Sequence, residues 1–176
     1  MAENKGAAQK NQAYAISDVE GTRKLYADWA TTYDADTTEG MGYVAPDVVA
    51  ELAADVDFDV WVVDDREQYC NPERFPAARR LIVAPIDNAL SGLEIDSNTM
   101  CIIVTRGHNH DEEALYHIAE KPSRYVGMIG SRRKIRLIFE DLLREGIPRD
   151  RLERVHAPLG FDIGSQTVPE IAVSIL

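Results

Sequence analysis

Apolar and polar positions change rhythm twice along the chain. Residues 1–15 are polar, rich in Ala, Gln and Asn, and show no period, which predicts a loose N-terminus. Ser17 and Glu20 have the spacing of a capping box, and after them Leu25, Tyr26, Trp29, Ala30 and Tyr33 follow one helical stripe. The acidic stretch 31–40 contains nothing like a strand. Beyond Gly40, helical patterns alternate with short apolar runs. Residues 46–55 read as a helix with Pro46 in its first turn. Residues 58–63 are a β-branched and aromatic run that ends on Asp64 and Asp65, and 81–84, 101–105, 125–129 and 154–157 are further strand candidates. Between them, 111–120 reads as a helix with acids in its first turn, Asp111 serving as N-cap. Residues 131–145 form the clearest helix, with Ile135, Ile138, Phe139, Leu142 and Leu143 on one face and Gly146 as the stop. Thr167, three residues before Glu170, caps a final helix. Strands alternating with helices predict an α/β fold, a parallel sheet with helices on both faces behind a helical N-terminal extension.

The chain has 176 residues, which fits one domain of ordinary size or a domain with an extension. With 45% hydrophobic and 28% charged residues, a packed core is expected and global disorder is not. No apolar run approaches the roughly 18–20 residues of a membrane helix, and no secretory signal opens the chain, so a cytoplasmic protein with no membrane contact is expected. The net charge of −11 argues against nucleic-acid binding. That charge is uneven: residues 1–65 hold 4 basic and 14 acidic side chains, whereas 121–154 hold 10 and 5. One basic window in an acidic chain suggests a small anionic ligand. Two cysteines are too few for a disulfide framework; Cys101 reads as a core thiol, and Cys70 lies in a polar loop with no base near it in sequence.

Four segments could carry chemistry. Gly40, Gly42 and Ala45 fit G-x-G-x-x-A, with Asp64 and Asp65 22 and 23 residues after Gly42 where a ribose-binding acid would sit. The fingerprint needs a strand before its first glycine, and residues 35–39 cannot supply one, so a glycine turn capping a helix is favoured. The second segment, Thr105, Arg106, Gly107, His108, Asn109, His110 and Asp111, joins a strand end to a helix start, where ligands of parallel sheets bind. His108 and His110 can face the same way there; a polar pocket lining is weighed evenly against plain structure, and a metal is not expected. In the third, Gly130 and Ser131 lead into Arg132, Arg133 and Lys134, three cations at the positive end of a helix dipole, which points to an anion site. The fourth is the glycine-punctuated loop 156–164 with Gly160 and Asp162. The chain has no G-x-S-x-G, P-loop or H-E-x-x-H, so a pocket is legible and a reaction is not.

Together several segments resemble the C-terminal Rossmann domain of the XdhC/CoxI family, the xanthine dehydrogenase accessory proteins. They are Val62-Val63-Asp64-Asp65-Arg66 with Asn71-Pro72-Glu73-Arg74-Phe75-Pro76, the segment 105–111, residues 125–134 (YVGMIGSRRK) and residues 156–164 (HAPLGFDIG), with the tail 169–176. The match is expected from about Val48 onward, five motifs in the family's order. The start is similar to something else. Residues 25–34 (LYADWATTYD) followed by 42–46 (GYVAP) resemble the N-terminal cap of a class I S-adenosylmethionine methyltransferase, without its nucleotide loop. A hybrid is therefore expected, with domains over 1–39 and 40–176, joined near Val48 so that the first Rossmann strand and the family's N-terminal domain are missing.

The family resemblance implies a chaperone module, more an accessory protein than an enzyme, that binds the molybdenum cofactor (molybdopterin) and helps deliver it, sulfurated, to a xanthine dehydrogenase-type molybdoenzyme. The expected pocket comprises Asp64, Asp65, Arg66, Thr105, Arg106, Gly107, His108, His110, Gly130, Ser131, Arg132 and Arg133, closed by Gly160 and Asp162. Arg132, Arg133 and the amides of Gly130 and Ser131 would hold the pterin phosphate, Asp64 or Asp65 would accept from amino or hydroxyl groups, and the two histidines would line the site. The alternatives are a methyltransferase fragment binding S-adenosylmethionine and a Rossmann domain binding NAD(P) or another nucleotide. A homodimer is left open.

Overall fold

The structure is a computed structural model and describes residues 58–164 and 168–175. The expected N-terminal helices, the 46–55 helix, the glycine turn at Gly40 and the Thr167 cap lie outside the described residues.

The first described strand, β1 (Trp61–Asp64), pairs in parallel with β2 (Arg80–Val83), Val62 lying opposite Leu81. Helix α1 (Ile86–Ser91) leads to β3 (Met100–Ile103), and helix α2 (His108–Ile118) follows. Strand β4 (Tyr125–Met128) lies parallel to β3 with Cys101 opposite Val126. Helix α3 (Arg132–Arg144), the short α4 (Arg149–Leu152) and α5 (Val168–Ile175) complete the order. All described pairing is parallel, as strands joined through helical crossovers require. Each expected strand is present within one to three residues of its expected ends, except the last.

Residues 154–157 make only a bridge, His156 to Gly127. His156 donates to the Val126 carbonyl at 2.8 Å and its own carbonyl accepts from Met128 at 3.0 Å. Pro158 then removes the donor that a longer ladder would need. Helix α2 begins three residues before the expected start because the extended Gly107 is its N-cap, and Asp111 is turned inward. Two short helices have no clear periodic pattern in the sequence, α1 and α4. Each follows a proline, Pro85 or Pro148, and carries an acid in its first turn, a signal that is present but brief.

The core lies on one face of β3 and β4. Ile103, Val126 and Met128 meet Leu115 and Ile118 of α2, Ile135, Ile138 and Leu142 of α3, and Ile86 and Leu90 of α1. Helices α1, α2 and α3 stack in series on that face. On the opposite face, Met100 and Ile102 are partly exposed. Among the described residues, β1 and β2 form one two-stranded sheet and β3 and β4 another, and no strand joins them. In a doubly wound fold the first Rossmann strand would lie between β1 and β3, and the residues ahead of β1 where it would fall lie outside the described ones.

Candidate functional site

The sheet's carboxyl ends gather the polar segments, the place where open parallel sheets bind ligands. At the end of β1, Asp64 Oδ1 accepts from the Arg66 backbone amide at 3.0 Å and from its Nε at 2.9 Å, while Oδ2 accepts from Nη2 at 2.9 Å. This two-pronged pair fixes the guanidinium, which also sits 4.1 Å above the Tyr69 ring. Arg106, from the loop after β3, donates to Asp65 at 2.8 Å and lies 3.0 Å from His110 Nε2. Asp64, Asp65, Arg66, Arg106 and His110 thus form one cluster that bridges the two strand pairs. Tyr69 is an addition to the sequence-predicted set; its i+3 spacing from Arg66 was the available signal.

Burial alone would raise the Asp65 carboxyl, but the hydrogen bond and charge of Arg106, with the charge of Arg66, hold it below its ordinary value. A depressed folded value gives stability that is present above the unfolded value and is lost as pH falls through the folded one. An Asp65→Asn protein is therefore expected to be less stable than the parent at pH 7 by about 0.5–1 kcal/mol, a magnitude suited to a partly exposed pair. The gap should close on acidification below about pH 4. Urea titrations of both proteins across that range check this, and a gap that persists in acid would contradict it.

One strand over, Thr105 is tied to Asp111: its amide donates to Oδ1 at 3.2 Å and its hydroxyl donates to the same oxygen. Asp111 is fully buried, and the Lys134 ammonium pairs with its Oδ2. Burial pushes the Asp111 carboxyl up, with Lys134 and Thr105 pulling against it. Asp111 is therefore no N-cap, and Lys134 is no part of an outward basic turn. A buried carboxylate outweighs the tenths of a kcal/mol that a helix dipole exacts.

Gly130, at φ +154, turns the chain into α3. Ser131 is the N-cap as expected, its hydroxyl accepting from the Lys134 amide at 3.2 Å. Arg132 is 84% exposed, and its contact at 3.4 Å is with Asp162, itself 83% exposed. Arg133 is half-buried on the same turn. Beyond Arg132, a cleft of about 390 Å³ runs along α3, with Ile135, Phe139 and Leu143 within and Arg132, Arg136 and Arg149 among its charged lining. Gly160, at φ +97, has a packing reason to be glycine: a Cβ would lie 2.9 Å from the Ser174 carbonyl oxygen of α5.

Gly107 is buried at the start of α2, its carbonyl accepting from the Asp111 amide at 3.1 Å and lying 3.2 Å from the Thr105 hydroxyl oxygen. His108 and His110 are divided by the helix. His110 joins Arg106, whereas His108 is 5% exposed and faces Glu112 and Asp141 between α2 and α3. The extended segment that would align the two rings is instead the first helical turn.

Parallel strands with polar carboxyl ends, and a glycine turn into a 13-residue helix, define a Rossmann-type domain. The chain belongs to the XdhC Rossmann domain family, whose sequence model matches residues 39–176. That match starts ahead of the expected join near Val48 and takes in Gly40, Gly42 and Pro46, which the sequence pattern places in or beside the methyltransferase-like start. The uncharacterized protein YqeB of Escherichia coli K12 is 36% identical over 138 residues, covering 78% of this chain and 25% of YqeB. A probable xanthine dehydrogenase polypeptide of Bacillus subtilis is 29% identical over 128 residues, covering 73% of this chain and 37% of that one. The crystal structure of a xanthine dehydrogenase from Bacillus halodurans superposes with a TM-score of 0.64 at 30% identity, over 77% of this chain and 38% of that chain. The chain thus spans between a quarter and two fifths of the length of these relatives. Among the described residues, no helix is long and apolar enough to cross a membrane.

Proposed function

We propose that this chain binds the molybdenum cofactor as cargo and serves as an accessory module for a xanthine dehydrogenase-type molybdoenzyme. Two relatives that carry the xanthine dehydrogenase name support the setting. The observation that carries the ligand is the row of polar groups along the carboxyl ends, with acids and guanidinia at β1 and β3 and a basic glycine turn at α3. The residues fit the group. A pterin phosphate is an anion, and the Gly130–Ser131 turn offers it the amino end of a long helix with Arg132 exposed beside it. A surface contact at 3.4 Å with Asp162 costs little to exchange for a phosphate. Asp64 and Asp65, held by Arg66 and Arg106, present carboxylates toward amino and hydroxyl donors of the cargo. The Asp64 and Asp65 positions also suit ribose hydroxyls, which makes NAD(P) the rival ligand.

The test is Arg132→Glu. Molybdopterin affinity should fall at least tenfold, or about 1.4 kcal/mol. The melting temperature should hold, because Arg132 lies outside the buried Ile135, Ile138 and Leu142 face and an acid suits the first turn of a helix. Undiminished affinity in the variant would remove α3 from the site.

A further inference from the structure

We propose that His108, Glu112 and Asp141 form a divalent transition-metal site between α2 and α3, apart from the carboxyl-end cluster. His108 opens α2, and Glu112 follows four residues later, so both side chains share one helix face. Asp141 comes from α3. His108 Nε2 lies 3.1 Å from Glu112 Oε2 and 4.0 Å from Asp141 Oδ2, and one donor atom from each residue lies within 4.8 Å of the others. A tetrahedral ion with bonds of about 2.0–2.2 Å keeps its donor atoms roughly 3.3–3.5 Å apart, so side-chain shifts on the order of 1 Å complete the geometry.

The surroundings prepare the three donors. His108 is almost wholly buried, which holds its ring in place. Arg144 pairs with Asp141 through Oδ1, the other carboxylate oxygen, and so turns Oδ2 toward His108. Outer partners of this kind orient ligating carboxylates in metal sites. A cleft of about 300 Å³ opens on the cluster, lined by the three donors with Asn109, Arg144 and Glu145. It gives an ion a way in and leaves room for water or a further ligand. One imidazole with two carboxylates suits Zn²⁺, Mn²⁺ or Fe²⁺, since Ca²⁺ prefers oxygen alone. Three protein donors and an open position resemble sites that bind an exchangeable ligand more than closed structural zinc sites.

The full chain, stripped with a chelator, is titrated with Zn²⁺ by calorimetry and with Co²⁺ by visible absorption. One equivalent is expected to bind, with Co²⁺ absorption showing low-symmetry nitrogen and oxygen coordination. Glu112→Gln and Asp141→Asn should each weaken Zn²⁺ at least tenfold, while Asp59→Asn, which removes an exposed carboxylate paired with Arg79 elsewhere on the surface, binds as the parent does. Glu112 is only half-buried, so its variant keeps the test sound if Asp141→Asn does not fold. An absence of saturable binding, or unchanged affinity in Glu112→Gln, would reduce the trio to an ordinary helix-start pair and overturn the proposal.

Discussion

Replacing Lys134 by methionine is expected to cost about 3–5 kcal/mol of stability, because it strands the fully buried Asp111 carboxylate without its ammonium partner. For a domain of this size that is a fall in melting temperature of roughly 6–20 °C. Thr105 still donates to Asp111, but two hydrogen bonds on one oxygen do not replace a charge. Adding Asp111→Asn to Lys134→Met should recover most of the loss, since the pair's removal leaves no buried charge. The loss should also shrink in acid, where a carboxyl already raised by burial takes up a proton. Urea unfolding of the three variants measures this. A single-variant loss below about 1 kcal/mol would show that the pair is solvated and not a buried lock.

Gly160→Val carries the second large effect, and it separates packing from binding. The position combines a φ of +97 with a Cβ location 2.9 Å from the Ser174 carbonyl oxygen, which is backbone and has nowhere to go. Left-handed strain of about 1–3 kcal/mol and an overlap of similar size together predict a loss of about 2–6 kcal/mol. The contact that fails is the dock of α5, where the Phe161 amide donates to Ser174 at 2.7 Å. Protease cleavage near 160–164 should therefore accelerate. Unchanged melting and cleavage would mean that Gly160 is glycine for a ligand's sake alone.

The parts of the fold that were legible in the sequence depend on local chemistry. β-branched runs located β1 to β4, and the i, i+3, i+4 rhythm of Ile135, Ile138, Phe139 and Leu142 located α3. The family was legible because five short motifs keep their order. What failed required knowledge of partners distant in sequence. Lys134 looks like a surface cation until Asp111, 23 positions earlier, arrives beneath it. His108 and His110 look alike on an extended segment, and a helix that starts at residue 108 turns them to different neighbours. His108 meets Asp141 only because α2 packs on α3. The bridge from β1 to β3 through Asp65 and Arg106 spans 41 positions and has no local signature.

That bridge also bears on the choice of ligand. A dinucleotide fold keeps the acid at the second strand's end for ribose hydroxyls. Here both acids hold guanidinia, Asp64 with Arg66 and Asp65 with Arg106. The most direct measurement is therefore equilibrium binding of molybdopterin to the full chain, alone and in competition with NADH and S-adenosylmethionine. Saturable one-to-one binding of molybdopterin that neither competitor displaces at tenfold excess is the expected result. Displacement by NADH, or no molybdopterin binding at all, would contradict a molybdenum-cofactor module.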